Sequence, residues 1–255
     1  MSTNAERLRD PQQRAERATR ILDTAADLLL SHGYRRVTMD DVADGVGIGK
    51  GTVYLHWKTR EQLFSAVFAR EVLRAIDELR QALQQDLRAC LLHNFARAYF
   101  LAITNRPLLR GLLLDDPRLL GKLTSYADTA RNQRHAAMAR DYLNLLAEHG
   151  LLRDDMNVDE IGYAYQAFFE GFLRAEGAVP EGSPQQRADL LARTVQHAFE
   201  SEHAIPDVTL RDLSAATVTL LAGLIDADRT ASALPEDRVA RRRPPHRGDP
   251  RAGEA

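Results

Sequence analysis

The sequence predicts an all-α protein, with a small N-terminal helical head followed by a larger helical body. Three observations carry this reading. Apolar residues recur at helical spacing along most of the 255-residue chain, as helices with one buried face require. Gly, Pro and capping residues interrupt these stripes at intervals of ordinary helix length. No run alternates apolar and polar residues between strand-type flanks.

Residues 1–14 read as a flexible polar arm. Ile21, Leu22, Ala25, Leu28 and Leu29 then form a helical stripe that stops at His32-Gly33, a C-terminal cap signal. Thr38 precedes Met39-Asp40-Asp41 as an N-cap, and its acidic first turn suits the positive end of the helix dipole. Gly45 to Gly51 is glycine-dense. Thr59 is a second N-cap, and Phe64, Val67, Phe68, Val72, Ile76 and Leu79 continue from it as one apolar stripe. The body is expected to hold helices over 83–105, 118–149, 158–174, 185–201 and 208–228. Breaks are expected at Arg106-Pro107, Asp116-Pro117, Gly150, 179–184 and Pro206, with Asn157 and Ser183 as N-caps. Residues 231–255 carry Pro235, Pro244, Pro245 and Pro250 without apolar periodicity, and read as a disordered tail. Its Arg241-Arg242-Arg243 run suits either solvent or DNA phosphate.

Composition excludes some classes. The single cysteine, Cys90, permits no intramolecular disulfide and fits a reducing cytoplasm. The N-terminus lacks the apolar segment of a secretory signal, and no apolar run approaches the ~18 residues of a membrane span. A formal net charge of −2 does not advertise nucleic-acid binding, and residues 1–60 lean only mildly basic, with ten Arg and Lys against eight Asp and Glu. Any DNA-binding claim must therefore rest on local pattern.

That pattern lies in Val37 to Leu63. Two short helices that cross steeply through a tight turn restrict each turn position. Ala43 is small where the second helix crosses the first, and Gly47 sits where the turn needs a left-handed or crowded backbone. Val42, Val46, Ile48 and Val53 supply the buried contacts. Small residue, glycine and apolar residues in this order form a helix-turn-helix pattern.

The run Gly49-Lys50-Gly51-Thr52-Val53-Tyr54-Leu55-His56-Trp57-Lys58-Thr59-Arg60-Glu61-Gln62-Leu63-Phe64 closely resembles the signature of the TetR family of bacterial transcriptional regulators. Gly33-Tyr34 followed by Val37 to Ala43 resembles the family's first-to-second-helix junction, so the likeness spans 18–68. It implies that Lys50, Gly51, Thr52, Leu55 and His56 line the exposed side of a recognition helix in the major groove. Tyr54 and Thr52 offer hydroxyls to phosphate, and Thr38 offers a helix N-terminus. Lys58 and Arg60 neutralise the DNA backbone, Arg60 at the family's usual lysine position. Two departures stand out. Gly49 replaces the family's Ser or Thr, and His56-Trp57 replaces its usual Tyr-Phe pair. Trp57 is expected to pack inward, while His56 either drops the phosphate contact or makes it pH-dependent.

Two other patterns fail. Gly45 to Thr52 looks like a phosphate loop, but a P-loop needs glycine at Asp44 and Ser or Thr at Gly51, while a dinucleotide loop needs glycine at Lys50. Cys90 and His93 share a helix face, yet no further ligands complete a metal set. No catalytic constellation appears, so no enzyme, metal or cofactor is expected.

The resemblance also implies the work of the body. In the family, the last two long helices pair with their copies as a dimer interface, and the middle helices enclose a ligand cavity. The matching stripes here are Leu213, Thr217, Leu220, Leu221 and Leu224, and Ile161, Tyr165, Phe168 and Phe172. Pocket candidates mix aromatic and polar groups: Tyr99, Asn105, Tyr126, Tyr142 and Gln166, with His93 and Asn94 beside them. The expected organisation is an arm (1–14), a helix-turn-helix domain (15–62), a regulatory and dimerisation domain (63–230) and a tail (231–255). The expected function is a cytoplasmic homodimer that represses from a palindromic double-stranded operator and is released by a small-molecule effector, with no membrane partner. The alternative is a DNA-associated protein that acts through a protein partner.

Overall fold

The computed structural model describes residues 11–126, 129–176, 182–202 and 205–232, the side chains of 124–126 and 232 aside. Residues 1–10 of the expected arm and 233–255 of the expected tail lie outside the described residues. The chain is all-α, and a single isolated bridge, Leu152 to Glu200, is the only β pairing among the described residues.

The head comprises α1 (Pro11–His32), α2 (Met39–Val46), α3 (Lys50–His56) and the first half of α4 (Arg60–Gln85). Helix α1 is described from Pro11, so residues 11–14 belong to it rather than to an arm. Gly33 closes α1 at φ 77°, its N–H donating to Leu29 O. The cap expected at Thr38 is a full capping box with Asp41, and Thr59 accepts from Gln62 N at the start of α4. Ile21, Ala25 and Leu29 of α1 pack with Val42, Val53, Leu63 and Phe64 as the head's core.

The body comprises α5 (Leu92–Thr104), α6 (Pro107–Leu113), α7 (Pro117–Leu120), α8 (Thr129–Glu148), α9 (Val158–Ala175), α10 (Pro184–Phe199) and α11 (Asp207–Ser232). Asn157 and Ser183 cap α9 and α10 with capping boxes, as expected. Two expected helices are broken. The helix predicted over 83–105 is instead the end of α4, a 3-10 turn at Leu87–Cys90 and α5. Asp86 ends α4 with extended backbone, and its carboxylate takes Arg88 N. The helix predicted over 118–149 is α7, a 3-10 segment at Gly121–Tyr126 and α8. Gly121, at φ 51°, cannot continue a right-handed helix.

A further correction concerns α11. It is long and apolar enough, with mean hydropathy 1.4 over an 18-residue window within Asp207–Ala231, to cross a membrane by composition. Its Leu213, Thr217, Leu221 and Leu224 are instead buried within the protomer against α4, where Ser214 Oγ also donates to Leu83 O. The stripe predicted for a dimer interface is thus intramolecular core. On α8, Arg134 and His135 both reach the buried Asp228 carboxylate of α11, at 2.7 Å each.

Head and body do not separate at residue 62. Helix α4 runs through the expected boundary, and Leu108, Leu119, Leu120 and Leu123 complete the head's core. Tyr34 N donates to Arg118 O at 2.9 Å, and Arg118 Nη2 donates back to Leu30 O.

Candidate nucleic-acid interface

The turn between α2 and α3 is built by glycine where the backbone demands it. Gly47 caps α2 at φ 73°, in the left-handed region, and Ile48 N reaches back to Ala43 O at 3.0 Å. Helix α2 also comes close to α1 at Gly45, where a Cβ would lie 2.7 Å from Thr24 Cγ2. The crossing therefore needs Gly45 as well as the expected small residue, Ala43.

Helix α3 divides into two faces. Val53 and His56 point inward, Thr52 is half-buried, and Lys50, Gly51, Tyr54 and Leu55 are exposed, Leu55 at 56%. A Cβ at Gly51 would meet nothing of the protein, so packing does not explain this glycine. Lys50 Nζ lies 2.8 Å from Asp40 Oδ2 on α2, an ion pair that steadies a long side chain at the mouth of the turn. Both partners are exposed, so the pair contributes little stability. Lys58 is exposed beside them.

Three expected DNA contacts change role. His56 is only 5% exposed and its ring stacks on the buried Trp57 at 5.5 Å. Burial, then the charges of Arg14 and Arg17, lower its pKa from the ordinary 6.5. The neutral ring is the folded form, so the unfolded chain takes up the proton first. Stability present above about pH 6.5 is lost as pH falls through the ordinary histidine range and stops falling below the folded value. Melting should therefore drop between pH 7.5 and 5.5, and His56→Gln should shrink that drop; equal drops in both proteins would remove His56 from the account.

Arg60 is turned inward. Its guanidinium lies 4.3 Å above the Tyr34 ring and donates to the carbonyls of Tyr34 and Val37 at 3.4 and 3.2 Å. Tyr34 Oη in turn donates to Glu61 at 3.0 Å. Arg60→Ala should cost about 1–3 kcal/mol of stability and leave the salt dependence of DNA binding unchanged. A flattened salt slope at unaltered stability would restore it to the phosphate-facing set. Thr38 is also engaged, since its N–H and hydroxyl both meet Asp41 Oδ2, at 2.7 and 2.8 Å. That carboxylate already occupies the anion position at the start of α2.

Arg14 and Arg17 were not anticipated. They stand on α1 close enough to the end of α3 to disfavour protonation of His56. Their i, i+3 spacing in the sequence is the only signal that could have found them.

The predicted ligand residues scatter. Asn105 and Gln166 are exposed, and Gln166 donates to Glu170 at 3.0 Å. The side chain of Tyr126 lies outside the described residues. Asn94 donates to Arg88 O, and His93 is committed to Glu200, which takes its backbone N–H at 2.9 Å and its Nδ1 at 2.6 Å. Tyr99 and Tyr142 do meet the core between α5, α8 and α9, and Tyr165 of α9 joins them. Tyr142 Oη donates to Cys90 O at 2.8 Å. Cys90 is fully buried, with its thiol pushed up to about 12 by desolvation, and no metal-holding cluster occurs among the described residues.

The family model described as bacterial regulatory proteins, tetR family, matches residues 21–67, which are α2 and α3 with the flanking parts of α1 and α4. The transcriptional repressor KstR2 of Mycolicibacterium smegmatis is 31% identical over 156 residues, covering 58% of this chain and 74% of that protein. The chain belongs to the tetR family of bacterial regulatory proteins. As a tetR-family protein it is a DNA-binding transcriptional regulator. The transcriptional activator FasR of the same organism is 34% identical over 84 residues, 31% of this chain and 38% of that protein. The fold likeness extends through the body. SmeT, the repressor of the Stenotrophomonas maltophilia multidrug efflux pump SmeDEF, superposes with a TM-score of 0.54 at 19% identity, over 74% of this chain and 94% of that one.

Proposed function

We propose that this regulator is a homodimeric repressor that reads a palindromic operator with α3 and is released by a small molecule. The observation that carries the reading is the outward face of α3. Lys50, Gly51, Tyr54 and Leu55 stand clear of the protein beside Lys58, and Gly51 has open space where a side chain would be. A glycine there lets backbone approach the floor of the major groove, while Lys50 presents a donor suited to guanine O6 and N7. Tyr54 and Lys58 meet phosphate, and Arg14 and Arg17 extend that contact from α1. Among the relatives, KstR2 is named a repressor and FasR an activator, and the larger coverage of KstR2 favours repression.

Two heads require two copies. The surface that best suits self-association lies on α9 and α10, where Tyr163 is 81% exposed and Phe168 and Leu190 are also exposed. We place the effector site among α5, α8 and α9, around Tyr99 and Tyr142. The same fold in SmeT has been solved in complex with triclosan, which supports a body that accepts small molecules.

The test is binding of the purified protein to a fragmented genomic DNA library at moderate salt, followed by sequencing of what is retained. A short palindrome is expected. In its presence, Lys50→Ala and Thr52→Ala should change sequence preference, and Lys58→Ala should weaken binding to all sequences and flatten the salt slope by about one. A folded dimer that retains nothing above background would favour a regulator acting through a protein partner.

A further inference from the structure

Two large apolar side chains are exposed among the described residues of the head, Tyr54 at 36% and Leu55 at 56%, and they are neighbours on α3. The large apolar side chains of α1, α2 and α4 are all buried or half-buried. Tyr54 carries a hydroxyl that suits phosphate. Leu55 carries no polar group, so it can neither hold phosphate nor hydrogen-bond a base. The fold leaves it in water, where it forgoes the stabilisation that burial would bring.

Its place on the helix indicates what it meets. The outer arc of α3 is Lys50, Gly51, Tyr54 and Leu55, and the inner arc is Val53 and His56, with Thr52 half-buried between them. Residues four apart lie one turn along a helix and within about 40° of each other around it, so Leu55 shares a side with Gly51. Gly51 has open space where a Cβ would be, which lets the helix sit low in a groove and carries the next side chain on that line, Leu55, toward the base edges. Lys50 stands at the other edge of the arc, held by Asp40 at 2.8 Å. The arc thus offers one cation, one hydroxyl and one purely apolar surface.

Base pairs present hydrogen-bond donors and acceptors in the major groove, and one apolar group, the C5 methyl of thymine. A leucine against the polar edge of a base would strip its water without replacing it. Against the methyl, two apolar surfaces leave water together. We propose that Leu55 is a specificity-determining residue that selects thymine, through its C5 methyl, at one position in each half of the operator. The assignment rests on the reading of α3 as the helix that faces the major groove, and it adds what one edge of that face selects.

The test uses the full chain and the palindrome recovered from the genomic library, remade with each symmetric pair of thymines in turn replaced by uracil. Uracil keeps every hydrogen-bonding group of thymine and lacks only the methyl. One pair should be methyl-sensitive, with affinity falling about fourfold per half-site and about fifteenfold for the pair. Leu55→Ala should weaken binding to the thymine operator and bind the thymine and uracil forms of that pair equally. Its melting should change little, because the side chain is exposed. The absence of any methyl-sensitive pair would overturn the assignment and leave the operator standing. So would equal sensitivity in the parent protein and Leu55→Ala, the result expected if the methyl acts through the stiffness of the duplex. Recovery of no palindrome would refute the reading of α3 itself, and this assignment with it.

Discussion

Gly51→Leu is expected to lower affinity for the operator by about a hundredfold or more, toward the level of non-specific binding, with melting unchanged or slightly raised. A Cβ at this position meets no protein atom, and leucine is the better helix former by about 1 kcal/mol. Fold and binding should therefore part company in this one variant. The groove is where the new side chain would have to go, and a recognition helix held off the bases by one isobutyl group loses its bidentate contacts together. Measurement pairs a thermal melt with operator titration at fixed salt. Normal operator affinity in Gly51→Leu would mean that α3 does not face DNA as proposed.

The second large effect is on the fold. Gly121 lies at φ 51°, and a Cβ there would penetrate the ring of Tyr34. That ring cannot retreat, because Arg60 covers one face and Glu61 holds its hydroxyl. Gly121→Ala should thus cost on the order of 3 kcal/mol or more, combining backbone strain with overpacking. Gly150→Ala is the matched comparison. Gly150 has φ 66° but open space around its Cβ position, so only the strain remains, about 1 kcal/mol. Urea melts of the two variants should differ by the cost of the collision; equal losses would show that the Tyr34 ring adapts freely.

The helical class and the turn were legible because their causes are local. Thr38, Asn157 and Ser183 cap helices by hydrogen bonds to residues three positions on, and Gly47 is needed for its own φ. What was not legible depends on distant partners. Arg60 looks like a phosphate ligand in sequence, since nothing local reveals that the Tyr34 and Val37 carbonyls lie beneath it. His56 seemed exposed because its helix is amphipathic over only seven residues, and Trp57 together with α1 decides which side is covered. The α11 stripe reads the same whether it faces a second copy or α4, because an apolar face specifies burial and not the partner. Tyr165 was read as part of an interface for the same reason, and its ring contacts with Phe169 and Phe199 pack it against the body's own core.

The leucines at 108, 119, 120 and 123 sit in the core of the DNA-binding head, although the chain reaches them only after α4 and α5 have passed through the body. The head is thus not a transplantable cartridge. A fragment ending near residue 68 would leave a hole where four large side chains belong, and a chimaera joining this head to another regulator's body would need to carry residues 107–123 across as well. The reciprocal holds for variation. A drifting body sequence is free to vary elsewhere, but each change in the 107–123 segment is judged twice, once for the body it leaves and once for the head it enters.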